Sequence, residues 1–227
     1  MKNIEFLGLP NVGKSFFFKK IKKYFKKTHN YQSIFYFWLF KNKKINYLSY
    51  KLIVHFIFNE ITDYKKNKYL FFFQRKIYFF LKTKSSLELQ IQHNKVKKKY
   101  RLFFKKLSNF LKFHKETDRL SKLFADILLG YELAKTMKID LISSEGLVQR
   151  LFSVSLRKKI LKRDLRALSS YLPNPSHIIY LVKDKQTNIS IDEIVKVYHS
   201  KNVKFIMLKD NDKKFHEIFY KISTILK

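Results

Sequence analysis

The sequence has no cysteine, only four glycines, three prolines and one tryptophan in 227 residues, and 17 acidic side chains against 49 basic ones. Without cysteine, disulfides, thiolate metal sites and cysteine nucleophiles are excluded. The chain therefore suits a reducing compartment, and a cytoplasmic location is expected. Long apolar runs are also missing: residues 34–40 are too few to span a bilayer as a helix, and 69–81 are interrupted by Gln74-Arg75-Lys76. No long apolar stretch precedes the first motif, so a cleaved secretion signal is not expected.

What is present is enough for a core. Hydrophobic residues make up 46% and aromatics 17% of the chain, which argues for a folded protein. The length suits one domain, 1–227, carrying an insertion. The net charge of +32 invites a nucleic-acid or anionic-membrane partner. Yet the 42 lysines and seven arginines accompany 24 phenylalanines and 14 tyrosines, residues of A- and T-rich codons. A selected polyanion surface and a compositional drift both remain open. Residues 1–115 hold 28 Lys+Arg and four Asp+Glu, and 116–227 hold 21 and 13, so the basic excess lies mainly in the first half.

Asn3-Ile-Glu-Phe-Leu-Gly8 reads as a buried strand ending in glycine, and 15–27 as a lysine-studded helix. Residues 28–137 read as a basic, aromatic-rich helical insertion, with two helices between 86 and 137. The later part alternates: strands at 139–143, 177–183 and 203–208, helices at 147–170, 190–200 and 212–227. Such alternation predicts an α/β fold with a mostly parallel sheet covered on both faces. Lysine and phenylalanine interleave over 95–115, as in a basic amphipathic helix offered to a membrane or nucleic acid, or as in a lysine-rich face over an apolar seam. The seven histidines show no metal-ligand spacing.

Gly8-Leu9-Pro10-Asn11-Val12-Gly13-Lys14-Ser15 matches G-x-x-x-x-G-K-[ST] without a gap. Glycine lets the backbone turn closely around phosphates, and successive N–H groups, reinforced by a helix amino terminus, form an anion nest. The nucleotide-binding candidates are thus Gly8, Pro10, Asn11, Val12, Gly13, Lys14, Ser15 and Phe16. Lys14 is expected to reach the β- and γ-phosphates of ATP, and Ser15 to bind Mg²⁺. In a chain with four glycines, two occupy the required positions.

IEFLGLPNVGKS, the strand end Ile142-Ser-Ser-Glu145-Gly-Leu-Val-Gln-Arg150, and Tyr171-Leu-Pro-Asn-Pro-Ser-His-Ile-Ile-Tyr-Leu-Val182 together resemble the nucleoside and nucleotide kinase group of phosphate-loop proteins, thymidylate kinases among them. The resemblance covers 1–27 and roughly 138–227. It implies a three-layer α/β/α phosphate-loop NTPase fold, Mg²⁺-ATP as cofactor, and transfer of the γ-phosphoryl group to a small nucleoside, nucleotide or sugar acceptor. Phe16 stands where these kinases usually carry a second hydroxyl, and Ser144 where many carry an acid.

Glu145, at the carboxyl end of a parallel strand, is a candidate for orienting a Mg²⁺-bound water or for taking a proton from the acceptor. Asp140, at the other end of that strand, is expected at the wrong edge. Four of the seven arginines, Arg150, Arg157, Arg163 and Arg166, fall within seventeen residues. The guanidinium fork grips phosphate bidentately, and in the kinases resembled this region brings arginines onto the transferring group. Arg157 and Arg163 are the candidates. Two further readings stay open: a non-catalytic kinase-like fold that binds nucleic acid or an anionic membrane through its basic insertion, and a GTPase. GLPNVGKS resembles GTPase loops, although the DxxG and N-K-x-D motifs of that family are missing.

Overall fold

The computed structural model describes residues 1–8, 14, 17, 18, 29–57, 69, 72, 75, 76, 79, 80, 83, 85–111, 117–158, 162–182, 189–209 and 215–226. Within them the chain is an α/β protein built on a four-stranded, all-parallel sheet. Strand β1 (Asn3–Leu7) is followed by helices α1 (Tyr31–Lys41), α2 (Tyr47–Ile57), α3 (Ser86–Lys99), α4 (Arg101–Leu111) and α5 (Thr117–Met137). Then come β2 (Leu141–Ser143), α6 (Leu147–Lys158), α7 (Lys162–Ser170), β3 (His177–Val182), α8 (Ile189–His199), β4 (Lys204–Lys209) and α9 (Phe215–Leu226). The strand order is β2-β1-β3-β4. His29 adds one parallel bridge to Leu141 on the outer edge of β2, its carbonyl accepting from Ile142 N at 2.9 Å.

Alternation along the strands divides the core. Ile4, Phe6, Ile142, Ile179 and Leu181 lie on one face with Phe18 and with Ile222 of α9. Leu7, Leu141, Ile178 and Tyr180 lie on the other, with side chains of α1, α5, α6 and α8. Parallel strands buried on both sides read as nearly continuous apolar runs. That is why β1, β2 and β3 were legible within a residue or two at each end.

Among the described residues between 86 and 137 there are three helices, not two. The apolar positions Val96, Phe103, Leu107 and Leu111, all buried, keep helical spacing straight through residue 100. At Tyr100 itself the backbone leaves the helical region (φ −101°, ψ 32°) and separates α3 from α4. Periodicity cannot see a one-residue break that preserves the phase of the buried stripe. The predicted helix over 147–170 is likewise two helices, with 159–161 outside the described residues.

Helix α1 begins with a complete cap. Asn30 Oδ1 accepts from Gln32 N and Ser33 N, while Ser33 Oγ accepts from Asn30 N. This fixes Tyr31 at the first helical position, against Gly130 in the middle of α5. A Cβ added at Gly130 would stand 2.4 Å from Tyr31 O and 2.7 Å from its Cα. Because the obstruction is backbone, relief would require one helix to move. Gly130→Ala is therefore expected to destabilise the protein by about 2 kcal/mol, in the range of overpacked cores, measured by urea unfolding. A loss below about 0.5 kcal/mol, the size of an ordinary surface change, would show that the crossing of α1 and α5 is not this close.

Candidate functional site

The carboxyl ends of β1 and β2 lie side by side, since the two strands pair in parallel with Glu5 opposite Ser143. After β1 the chain puts Phe18 on one face of the sheet, and after β2 it puts α6 on the other. Adjacent strands whose connections leave on opposite faces open a crevice between their carboxyl ends, the usual ligand site of open α/β sheets.

Three of the expected residues meet there. Gly8 directly follows β1 and is buried. Lys14, helical and half-buried, donates from Nζ to Gly8 O at 2.7 Å. Burial pushes its ammonium below the ordinary lysine value, and the charge of Glu145 acts in the opposite direction. Glu145 sits in the turn after β2 with its side chain 55% exposed, in an ion pair with Arg150. Lys14 and Glu145 therefore share a local field at the mouth of the crevice. Arg150 Nε is buried and has no hydrogen-bond partner among the described residues.

Other expected residues stand elsewhere or lie outside the described residues. Arg163 is 84% exposed on α7, its guanidinium 3.8 Å from Asp164. Asp140 accepts from Lys2 N at the amino edge of the sheet, 2.5 Å away, as expected for a residue at the wrong end. Pro10, Asn11, Val12, Gly13, Ser15 and Phe16 lie outside the described residues. Arg157 is on α6, with its side chain also outside them.

One residue of this region was missed by sequence reasoning. Glu5, in the middle of β1, is completely buried directly beneath the first turn of α6. Its Oε2 accepts from Val148 N at 2.8 Å, and its Oε1 accepts from the Tyr31 hydroxyl at 2.6 Å. Tyr31 OH also lies 3.0 Å from Asn3 Oδ1, but its single proton serves the closer, chargeable acceptor. A carboxylate placed there caps α6 from a neighbouring strand, satisfying amide groups that the first turn leaves without partners and meeting the positive end of the helix. The approach depends on Gly146, where a Cβ would stand 2.1 Å from Glu5 Cδ. Next along α6, Gln149 Oε1 accepts from Gly8 N at 3.0 Å. The start of the glycine-lysine motif and the turn bearing Glu145 are thus tied to the same helix. The available signal was a lone acid within an apolar strand, since Glu is almost never fully buried without partners.

Desolvation raises the carboxyl of Glu5 above the ordinary 4.5, while the hydrogen bonds from Tyr31 and Val148 pull the other way. Burial of the Tyr31 hydroxyl, and next the charge of Glu5, push it well above the usual tyrosine value.

The fit of Mg²⁺-ATP can be judged on these residues. Gly8 N is already engaged by Gln149, so phosphate-binding amides would have to come from later in the motif. No group of three or more His, Cys, Asp or Glu among the described residues could hold a metal. Mg²⁺ bound with a nucleotide keeps several waters and commonly takes one or two carboxylates plus substrate phosphates. Glu145 can supply that carboxylate, and Lys14 an ammonium for the phosphate oxygens.

The raised pKa of Glu5 sets a pH dependence. Between 4.5 and the higher folded value, the folded state binds more protons than the unfolded chain, so this contribution to stability is present in acid and is lost as pH rises. A glutamine at position 5 cannot titrate. The stability advantage of wild type over Glu5→Gln should shrink as pH rises from 4.5 toward 8, with a slope of up to about 1.4 kcal/mol per pH unit. Urea unfolding of both proteins across that range measures it, and a constant or growing difference would contradict the burial of an ionising carboxyl.

The chain matches no protein-family model, no curated protein and no solved structure.

Proposed function

We propose that the chain has a three-layer α/β/α phosphate-loop fold, binds ATP with Mg²⁺, and passes the γ-phosphoryl group to a small nucleoside, nucleotide or sugar. What supports this reading is that Lys14 and Glu145, at the carboxyl ends of β1 and β2, lie near enough for their charges to interact. The gapless motif starts at Gly8, directly after β1, and includes Lys14. A cytoplasmic location belongs to the same proposal. No helix among the described residues is long and apolar enough to cross a membrane.

In this reading Lys14 turns from the Gly8 carbonyl onto the β- and γ-phosphate oxygens, exchanging a neutral acceptor for a charged one. Partial burial reduces competition from water and strengthens that contact. Glu145 accepts the proton of the attacking hydroxyl as its oxygen bonds to the γ-phosphorus, and the bond from that phosphorus to the β-bridging oxygen breaks to release ADP. Arg150, already beside Glu145, shields the developing negative charge. Mg²⁺, when bound, would neutralise phosphate oxygens and help align the transfer. The chain contributes mainly position and fixed charge.

At a hundredfold excess of ATP over its Kd, wild type should gain about 2.7 kcal/mol of stability, or roughly 5–10 °C in Tm for a chain of this size. Lys14→Ala should lose that gain. Glu145→Gln should keep the thermal shift and lose about 10²–10⁴-fold in transfer rate, scored with a panel of nucleosides, nucleotides and sugars. An undiminished ATP-dependent shift in Lys14→Ala would falsify the assignment.

A further inference from the structure

The stretch from Lys95 to Lys106 carries seven cations and no acid. Its apolar residues allowed either a membrane-facing amphipathic helix or a helix seated on the core. In the fold, Val96, Phe103, Leu107 and Leu111 are all buried in the main core. Six of the seven cations are exposed. A segment whose apolar stripe is already packed has little left to insert between lipids. Apart from Leu102, which is 57% exposed, what it turns outward is charge.

Around the break at Tyr100, where α3 gives way to α4, lies a cavity of about 400 Å³ lined in part by Lys98, Lys99, Tyr100, Arg101, Leu102 and Tyr171. Its volume is in the range of small-ligand sites. Lys99 and Tyr100 are both committed to Glu132, one by an ion pair and the other by a hydrogen bond from its hydroxyl. Lys98 and Arg101 have no ion-pair partner among the described residues. Arg101 is one of seven arginines in a chain with 42 lysines, so a guanidinium stands where composition favours an ammonium. Tyr171, on the turn after α7, is 37% exposed beside this pair.

We propose that this ridge and cavity dock single-stranded nucleic acid, with phosphates along Lys98 and Arg101 and a base entering the cavity to stack on Tyr171. The pattern of a cationic track beside an aromatic surface serves sequence-tolerant single-strand binding, since every base offers a stacking face. Charge complementarity selects a polyanion, and the cavity with its tyrosines selects one that carries flat apolar rings. This site is remote in sequence from the glycine-lysine motif and does not depend on the kinase reading.

The test uses the full chain and a fluorescein-labelled 20-nucleotide oligouridylate in anisotropy titrations at 50–300 mM salt. Wild type should bind with a steep salt dependence. Lys98→Ala/Arg101→Ala should bind at least about tenfold more weakly near 0.1 M salt, with a log–log salt slope shallower by about 1.4, the value for two single-strand phosphate contacts. Tyr171→Ala should lose about tenfold, in line with one stacked base. Lys196→Ala/Lys204→Ala, which removes two exposed cations from α8 and β4, should stay within about twofold. Cross-linking of unmodified protein to a 4-thiouridine oligonucleotide should label peptides containing Tyr100 or Tyr171, whether or not the variants fold. The proposal is overturned if the full chain fails to bind oligonucleotide at 50 mM salt, if the control pair loses as much as Lys98→Ala/Arg101→Ala, or if the cross-links map elsewhere. Binding to phosphatidylserine vesicles without binding to oligonucleotide would assign the ridge to a lipid surface and also overturn it.

Discussion

A carboxyl group withdrawn from water must find hydrogen-bond donors in the interior, and the arrangement around Glu5 is organised by that need. An isolated buried charge is costly to desolvate. Glu5 obtains one donor from the Tyr31 hydroxyl and another from the backbone at the start of α6. Each contact of this charged kind contributes about 1.5–3 kcal/mol when made, and its loss strands the buried group. Three elements far apart in sequence, β1, α1 and α6, therefore hold a common position.

The few glycines follow the same logic. Gly130 lets the backbone of Tyr31 lie against α5, and Gly146 lets the Glu5 carboxyl reach the first turn of α6. The other two, Gly8 and Gly13, belong to the glycine-lysine motif. Half of the glycines thus define the motif, and half admit the clasp beneath the strand that leads into it. Gln149 joins the two through Gly8 N. A shift of α6 would disturb both the end of β1 and the turn holding Glu145, so a core contact and a candidate site residue are mechanically linked.

Much of the sheet was legible because its strands are buried on both faces, and Ile142 or the run from Ile178 to Leu181 has little alternative to a parallel strand. That Glu145 and Lys14 lie near enough for their charges to interact is consistent with their positions after two such strands. Asn30 was harder: its cap on α1 uses Ser33 in place of the acidic or amide partner of the usual capping box, and the surrounding aromatics carry no clear period. Tyr100 breaks a helix without changing its buried stripe, so only backbone geometry exposes it. Glu5 was visible as a charge within a buried run. Its donors, at positions 31 and 148, are supplied by tertiary packing, which no local pattern reveals. The lysine-rich ridge was legible as charge but not as a cavity, since Tyr171 reaches it from another helix's end.

The most direct measurement is a crystal structure with Mg²⁺ and a non-hydrolysable ATP analogue. The expected result is a β- or γ-phosphate oxygen within hydrogen-bond reach of Lys14 Nζ, above the carboxyl ends of β1 and β2, with Glu145 facing the terminal phosphate and Glu5 still clasped by Tyr31 and α6. A nucleotide seated elsewhere on the protein, with Lys14 remaining on the Gly8 carbonyl, would contradict it.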